Sequence, residues 1–226
     1  MGVRLQYVTN PFGGVFLFEG FSGHVISLFF STIWIVFIMN AMNWIDGVDG
    51  ASGGVTFIGA VTIFFLSLRP EVNQPPVAII TSALLGALGA FLFFNFYPAK
   101  ILAGTSGAIF MGFILAIMAV FAGAKIATTL LVLSIPIIDA LWVVSQRYLS
   151  GHSIFLPDKK HLHFRLLDAG WSHRSICFFY YAITIIISFI ALNTYALGKI
   201  LAFFLVAIMM LGTYALINTK KAVKPE

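Results

Sequence analysis

The sequence predicts an all-α, polytopic integral membrane protein of about seven transmembrane helices, and three observations lead there. Only 9% of its 226 residues are charged, against 60% hydrophobic, and the mean hydropathy is +1.01; a soluble domain carries roughly 25% charged residues. The apolar residues gather in seven runs, roughly 23–42, 53–68, 77–96, 106–123, 126–145, 174–193 and 197–217, near the roughly 17–25 residues that a spanning helix needs. The basic residues lie in short loops between these runs. That is the pattern bilayer orientation produces, so the net charge of +5 does not indicate a nucleic-acid partner.

Along the chain, residues 1–10 are mixed and polar, with no cleavable signal peptide. The first run carries no charge and ends in Asn40–Gly50. The second is short and closed by Arg69-Pro70, and only Gly123-Ala124-Lys125 divides the fourth from the fifth, which predicts a tight turn. No repeat or Gly/Ser linker marks a second domain, so residues 1–226 read as one membrane domain. Cys177, the only cysteine, falls in an apolar run; it forms no disulfide framework and is expected to pack.

Orientation follows from parity and basic charge. With the longest loop, Gln146–His173, on the cytoplasmic side, that side receives Lys100, Arg147, Lys159, Lys160, Arg165, Arg174, Lys220, Lys221 and Lys224, nine basic residues against Arg4, Arg69, Lys125 and Lys199, four, on the other. Three polar clusters then share the cytoplasmic face, where they are expected to wall one site of a multi-pass plasma (inner) membrane protein.

The first cluster is Asn40-x-x-Asn43-x-x-Asp46-Gly47-x-Asp49-Gly50. Asn40, Asn43 and Asp46 would share one side of a helix, with Asp49 following if the turn continues. Such amides and carboxylates bind polar ligands or Mg²⁺ through oxygen, and Gly47 and Gly50 let the backbone leave the helix close to a ligand. A polar helix end in water is the plainer alternative. The second cluster, Asn95 to Lys100 and then Gly104-Thr105-Ser106-Gly107, leads into a helix start whose free N–H groups, with Lys100, suit an anion; an ordinary N-cap at Thr105 or Ser106 is the alternative. The third starts inside a run with Pro136 and Asp139 and continues through Arg147, Gly151, His152, Ser153, Phe155, Asp158, Lys159 and Lys160 to His161-Leu162-His163-Phe164-Arg165. Asp139, deep in an apolar segment, marks an interior-facing paired or functional group. In an extended loop His161, His163 and Arg165 would point the same way, toward a diphosphate; a zinc pair is the runner-up. Lys159 and Lys160 alone fit lipid headgroups.

These residues, in this order, resemble the polyprenyl-phosphate N-acetylhexosamine-1-phosphate transferases of bacteria, the undecaprenyl-phosphate GlcNAc-1-phosphate and phospho-N-acetylmuramoyl-pentapeptide transferase type. The resemblance rests on Asn40 to Gly53, on Asn95-x-x-Pro98-Ala99-Lys100 with Gly104-x-Ser106-Gly107 and Gly112, and on Pro136-x-x-Asp139 with Asp158-x-x-His161-Leu162-His163-x-Arg165-Leu166. Asn10 to Gly14 looks like the stretch ahead of the first loop in one branch. It implies that a polyprenyl (undecaprenyl) phosphate attacks the β-phosphorus of a UDP-N-acetylhexosamine, releasing UMP, with Mg²⁺ (or Mn²⁺) as cofactor, for cell-wall or surface polysaccharide synthesis. It also implies catalytic roles for Asp46, Asp49, His161 and His163, with Asp46 and Asp49 as metal ligands, and substrate contacts from Asn40, Asn43, Lys100, Gly104, Ser106, Gly107, Asp139, Arg147 and Arg165. Thr105 stands where the family pattern places an aspartate, Phe164 where it places a second adjacent histidine, and the family's acidic pair and N-terminal helices would precede this chain. The alternatives are a split enzyme with an N-terminal partner chain, and a non-catalytic membrane binding or assembly paralogue; homo-oligomerisation stays open.

Overall fold

The computed structural model describes residues 5, 7–10, 14–122, 125–151, 153 and 160–223. The described residues form nine helices after a short hairpin: β1 (Tyr7–Thr9), β2 (Val15–Leu17), α1 (Gly20–Ile45), α2 (Ala51–Ser67), α3 (Pro75–Asn95), α4 (Gly104–Phe121), α5 (Ile126–Val132), α6 (Ser134–Leu149), α7 (Leu162–Asp168), α8 (His173–Asn193) and α9 (Ala196–Val223). The fold is an all-α polytopic membrane bundle. Each of the seven predicted apolar runs is helical, but they are not seven equal spans. α1, α3, α4, α8 and α9 are long and apolar enough to cross a bilayer, and a sixth span is counted only if the bent pair α5–α6 is one.

The expected continuous helix over 126–145 breaks at Leu133, where α5 and α6 meet at 77°. Pro136 accounts for the break. A helix running through it would need an N–H there to reach the carbonyl of Val132, and the proline ring would collide with that carbonyl. Placed in the first turn of a new helix, the proline meets no such demand. The sequence reading also missed the hairpin, in which Tyr7 pairs with Leu17 and Thr9 with Val15. Asn10 N–H donates to Gly14 O at 3.0 Å, and Gly14 supplies the positive φ of +79° that the turn requires. Leu5 is tied to α1 by Ser27, whose hydroxyl donates to Leu5 O, and by Ser31, whose oxygen accepts from Leu5 N–H at 2.9 Å. Two serines four apart thus satisfy backbone groups that hydrocarbon could not.

α2, with 17 residues, is about 26 Å long, short of the ~30 Å hydrocarbon layer. It holds its place because α1, α3, α4, α5 and α8 all pack on it. Small residues permit this close approach, as at many helix contacts in membranes. A Cβ added at Gly54 would lie 2.1 Å from the ring of Tyr181 in α8, and one at Gly53 would lie 3.2 Å from Phe91 in α3.

α1 and α4 run antiparallel. Trp34 Nε1–H donates to Ala116 O at 3.1 Å, and a Cβ at Gly112 would lie 2.7 Å from Met39 Cα. A step of about four residues forward on α1 is a step of four back on α4. Continued, that register brings the end of α1, at Asp46, level with the start of α4, at Gly104–Thr105.

Candidate functional site

The site is built where α1 ends. Helix α1 stops at Ile45, Asp46 is its C-cap, and residues 46–50 turn sharply into α2. Asp49 therefore does not continue the helical face of Asn40, Asn43 and Asp46. Gly50, the N-cap of α2, has φ +87°, a left-handed conformation that favours glycine. Gly47 has a different reason. A Cβ there would lie 2.1 Å from His163 Nε2 and within 2.9 Å of two more ring atoms, so the side-chain-free backbone is what lets the imidazole lie against the loop.

Neighbouring elements clamp this loop. Asn95, at the end of α3, accepts from Gly50 N–H at 3.1 Å and donates to Ile101 O at 2.9 Å. Asp49 Oδ2 accepts from Ala99 N–H at 3.0 Å. From α8, Tyr181 OH donates to Gly50 O at 2.6 Å and Cys177 S–H to Asp49 O at 3.0 Å. The Ser52 hydroxyl donates to Asp46 Oδ1. Burial holds the Asp46 carboxyl above its ordinary range; the Ser52 bond works against that shift, and the charge of Asp49 adds to it.

The histidine motif descends onto the same loop. Asp139, 2% exposed in α6, accepts from His161 Nδ1 at 2.7 Å, from Leu162 N–H at 2.8 Å and from Tyr214 OH. Fixing Nδ1 in this way leaves Nε2 of His161 for a ligand. The rings of His161 and His163 stack at 5.9 Å and 4°. His163 is 1% exposed, and neither ring nitrogen has a hydrogen-bond partner among the described residues. Burial pushes its pKa down to about 4, opposed by Asp139 and assisted by His161, so the ring is neutral near pH 7.

Residues 2–123, more than half of the chain, match the sequence pattern of glycosyl transferase family 4. The chain belongs to glycosyl transferase family 4. It is 32% identical over 219 residues to the probable undecaprenyl-phosphate N-acetylglucosaminyl 1-phosphate transferase of Bacillus subtilis, covering 93% of this chain and 59% of that protein. It is 35% identical to the decaprenyl-phosphate N-acetylglucosaminephosphotransferase of Mycobacterium tuberculosis (84% and 52%). It is 33% identical to the phospho-N-acetylmuramoyl-pentapeptide-transferase of Sulfurimonas denitrificans (75% and 52%). The chain spans between half and three-fifths of the length of these relatives.

Within this glycosyl transferase family 4 chain, the three polar clusters come together at one end of the bundle: Asp49 meets Ala99, Gly47 meets His163, and Arg174 Nε–H reaches Tyr97 O at 3.2 Å. Several expected details need correction. His161 is the N-cap of a helix, α7, that contains His163 and Arg165, so these three do not alternate along an extended loop. Arg165 turns aside, donating to Lys160 O at 2.9 Å and Gln146 Oε1 at 3.1 Å and covering the Tyr214 ring at 5.0 Å. Asp139 was expected to touch substrate, yet it is buried and both of its oxygens are taken by protein donors. Arg147, also assigned to substrate, is 6% exposed in the last turn of α6. Asn40 spends its amide on Val36 O at 2.7 Å, while Asn43 is half-buried one turn before the loop. Lys100, Gly104, Thr105 and Ser106 are exposed and Gly107 is half-buried. The N-cap of α4 is Ala103 with no side-chain cap bond, so neither Thr105 nor Ser106 caps it. His152, Phe155, Asp158 and Lys159, like residues 11–13, lie outside the described residues.

Sequence reasoning missed Tyr181, Tyr214 and Ser52, which hold the site residues from a distance. A tyrosine in an apolar run is a weak signal, because its hydroxyl needs a buried partner that only the fold identifies. Among the described residues no three His, Cys, Asp or Glu side chains form a closed metal cluster. The donors instead suit an open magnesium site, in which Mg²⁺ takes one or two carboxylates and completes its shell with water and substrate phosphate. Asp46 and Asp49 each keep one oxygen without a hydrogen-bond partner among the described residues.

Proposed function

We propose that this chain carries the catalytic face of an enzyme that transfers N-acetylhexosamine-1-phosphate from a UDP-sugar to a polyprenyl phosphate, undecaprenyl phosphate in the first instance. The face lies on the cytoplasmic side of the plasma membrane, and the product feeds cell-wall or surface polysaccharide synthesis. The observation that carries the reading is His163: a buried neutral imidazole whose two nitrogens have no partner among the described residues, pressed on Gly47 in the loop that carries Asp46 and Asp49. A buried polar group without a partner costs about 1–3 kcal/mol. A fold that keeps one against the acidic loop holds it ready for a ligand. The names of the relatives, all polyprenyl-phosphate or pentapeptide phosphosugar transferases, support the same chemistry.

In this reaction a phosphate oxygen of the lipid attacks the β-phosphorus of the UDP-sugar. The bond from that phosphorus to the oxygen bridging the two phosphates breaks, and UMP leaves with the bridging oxygen. Phosphoryl transfer of this kind is mostly positioning and charge neutralisation. Asp46 and Asp49 would hold Mg²⁺, which supplies positive charge to the diphosphate. Lys100 and the open N–H groups at the start of α4, level with Asp46, bind phosphate oxygens; Ser106 adds a hydroxyl there. Nε2 of His161 and the ring of His163 meet the reacting phosphates, and Asp139, itself held by Tyr214, fixes the orientation of His161.

The test is UMP release by the purified full chain in nanodiscs with UDP-N-acetylglucosamine, undecaprenyl phosphate and Mg²⁺. Release that Asp46→Asn and His163→Gln each lower at least a hundredfold is expected. A native chain that releases no UMP and shows no Mg²⁺-dependent binding of the UDP-sugar overturns the reading.

A further inference from the structure

The opposite end of the bundle carries a second feature that the transfer reaction does not use. A groove of about 980 Å³ opens between the segment leading into α1, the middle of α1, α5 and the α8–α9 junction, at the upper limit of the roughly 300–1,000 Å³ that small-ligand pockets occupy. Its walls are apolar, with Phe18, Trp34, Phe37 and Leu130 among them, and its two charged lining residues are Lys125 and Lys199. The groove runs from Phe16–Phe18, ahead of α1, along Phe30, Ile33 and Trp34 in the middle of that helix and ends at Phe37, nine residues, or about 13 Å, short of Asp46. It therefore has a charged mouth at one bilayer surface and an apolar floor reaching toward the middle.

The cations at the mouth are held there. Lys199 Nζ donates to Thr128 Oγ1 at 2.7 Å, which ties α9 to α5 and keeps the ammonium at the groove, where a free lysine would snorkel outward. Lys125 and Arg69 are close enough to repel it. Among the described residues none of the three forms a salt bridge with a carboxylate, and Glu19 and Glu71, the acids of this end, are exposed. Arg69, Lys125 and Lys199 are also three of the four basic residues on the side that the charge count leaves poor in them. Cations converging beside a channel into hydrocarbon, with no salt bridge to a carboxylate among the described residues, match one kind of molecule, with an anionic head and a long apolar chain. A symmetric second copy fits less well, because it would set like charges against one another.

The geometry points to this groove as a binding site for an anionic glycerophospholipid, its phosphate on Lys125 and Lys199 and an acyl chain along α1 to Phe37. The inference goes beyond the transfer reaction, and its readout requires no UMP release.

The test is native mass spectrometry of the full chain ejected from nanodiscs containing equal phosphatidylglycerol and phosphatidylcholine. Retained phosphatidylglycerol is expected in at least tenfold excess. Lys125→Ala with Lys199→Ala should abolish the preference, while the double arginine variant, which keeps both charges, retains it. Ala127→Trp, which fills the groove from α5, should lower lipid retention while leaving the thermal midpoint in detergent unchanged, so a loss there is not a folding failure. Equal retention of the two lipids, a preference untouched by the double alanine variant, displacement by inorganic phosphate alone, or a lipid-free dimer in place of a lipid-bound monomer would each overturn the proposal.

Discussion

Substituting Gly47 by alanine tests the meeting of the acidic loop with the histidine motif most directly. The added methyl would lie 2.1 Å from His163 Nε2, 2.7 Å from Cδ2 and 2.9 Å from Cε1, one whole edge of a flat ring. Restoring ordinary contact at 3.4 Å requires a retreat of about 1.3 Å. The ring has little room to give: His161 stacks on it, and Phe164 stands 4.1 Å away, centroid to centroid. His161 is itself pinned by Asp139. A misplacement of about 1 Å at a reacting group costs on the order of a hundredfold, or about 2.7 kcal/mol of transition-state stabilisation at 1.36 kcal/mol per factor of ten.

Gly47→Ala should therefore lower kcat/KM for UMP release about a hundredfold. Gly47 needs no left-handed φ, so the backbone itself accepts alanine; the overpacking of the His163 ring should cost about 1–3 kcal/mol, lowering the thermal midpoint by a few degrees while the fold is kept. Gly86→Ala, in α3 with nothing within 4 Å of the added atom, is the control and should leave kcat/KM unchanged. A Gly47→Ala enzyme within threefold of the native rate would mean that His163 need not lie against the loop, and the geometric basis of the reading would fall.

Tyr214→Phe removes one of three donors to Asp139 and should lower kcat about tenfold with KM for the UDP-sugar nearly unchanged, as expected of a positioning residue; a change confined to KM would contradict that role. Acid stability carries a signature of His163, whose pKa falls to about 4 on folding from an ordinary value of about 6.5. Above pH 6.5 the ring is neutral in both states and its full contribution is present. Between 6.5 and 4 the unfolded chain binds the proton and the fold does not, so stability is lost as pH falls, up to about 3 kcal/mol; the thermal midpoint of His163→Phe should show a correspondingly flatter slope over that window. Thr105→Asp places a third carboxylate level with Asp46 and should lower the Mg²⁺ concentration for half-maximal UMP release about tenfold, since charge count sets affinity at oxygen sites; no change would separate α4 from the metal. Tyr181→Phe removes the bond to Gly50 O and should cost about 1 kcal/mol of stability, read as a lower thermal midpoint.

Much of this was legible in the sequence, for a reason particular to membranes: a polar residue in or beside an apolar run is expensive. That singled out Asp46, Asp49, Asp139 and the histidines, while helix parity and the count of basic residues put the three clusters on one side. What escaped was whatever depends on a partner distant in sequence. Asp46-Gly47-Val48-Asp49-Gly50 contains two glycines that look equivalent, yet Gly50 serves a dihedral angle and Gly47 serves a ring more than a hundred residues away. The kink at Leu133 was written in the position of Pro136, but an unbroken run of apolar residues hides it from hydropathy. α7 was hidden because two histidines and an arginine at alternate positions fit a strand as well as one helical turn.

The hydrogen bonds of this third cluster explain how a membrane bundle keeps a neutral histidine buried against its acidic loop. Asp139 is fully engaged by His161, Leu162 and Tyr214, so its charge is spent on orientation, and only its field reaches His163, where burial outweighs it. Were Asp139 free to pair with His163 directly, that ring would gain both a partner and a reason to be protonated, and it would cease to be an open acceptor beside Gly47. Asp139→Asn separates these two effects. The amide can still accept from Leu162 N–H and Tyr214 OH while removing the charge, so the fold should survive with a midpoint within a few degrees of native, whereas kcat should fall at least tenfold as His161 loses the carboxylate that fixes its tautomer. A variant that keeps native kcat would show that orientation at Nδ1 is dispensable and would leave His163 alone as the group on which the surface depends.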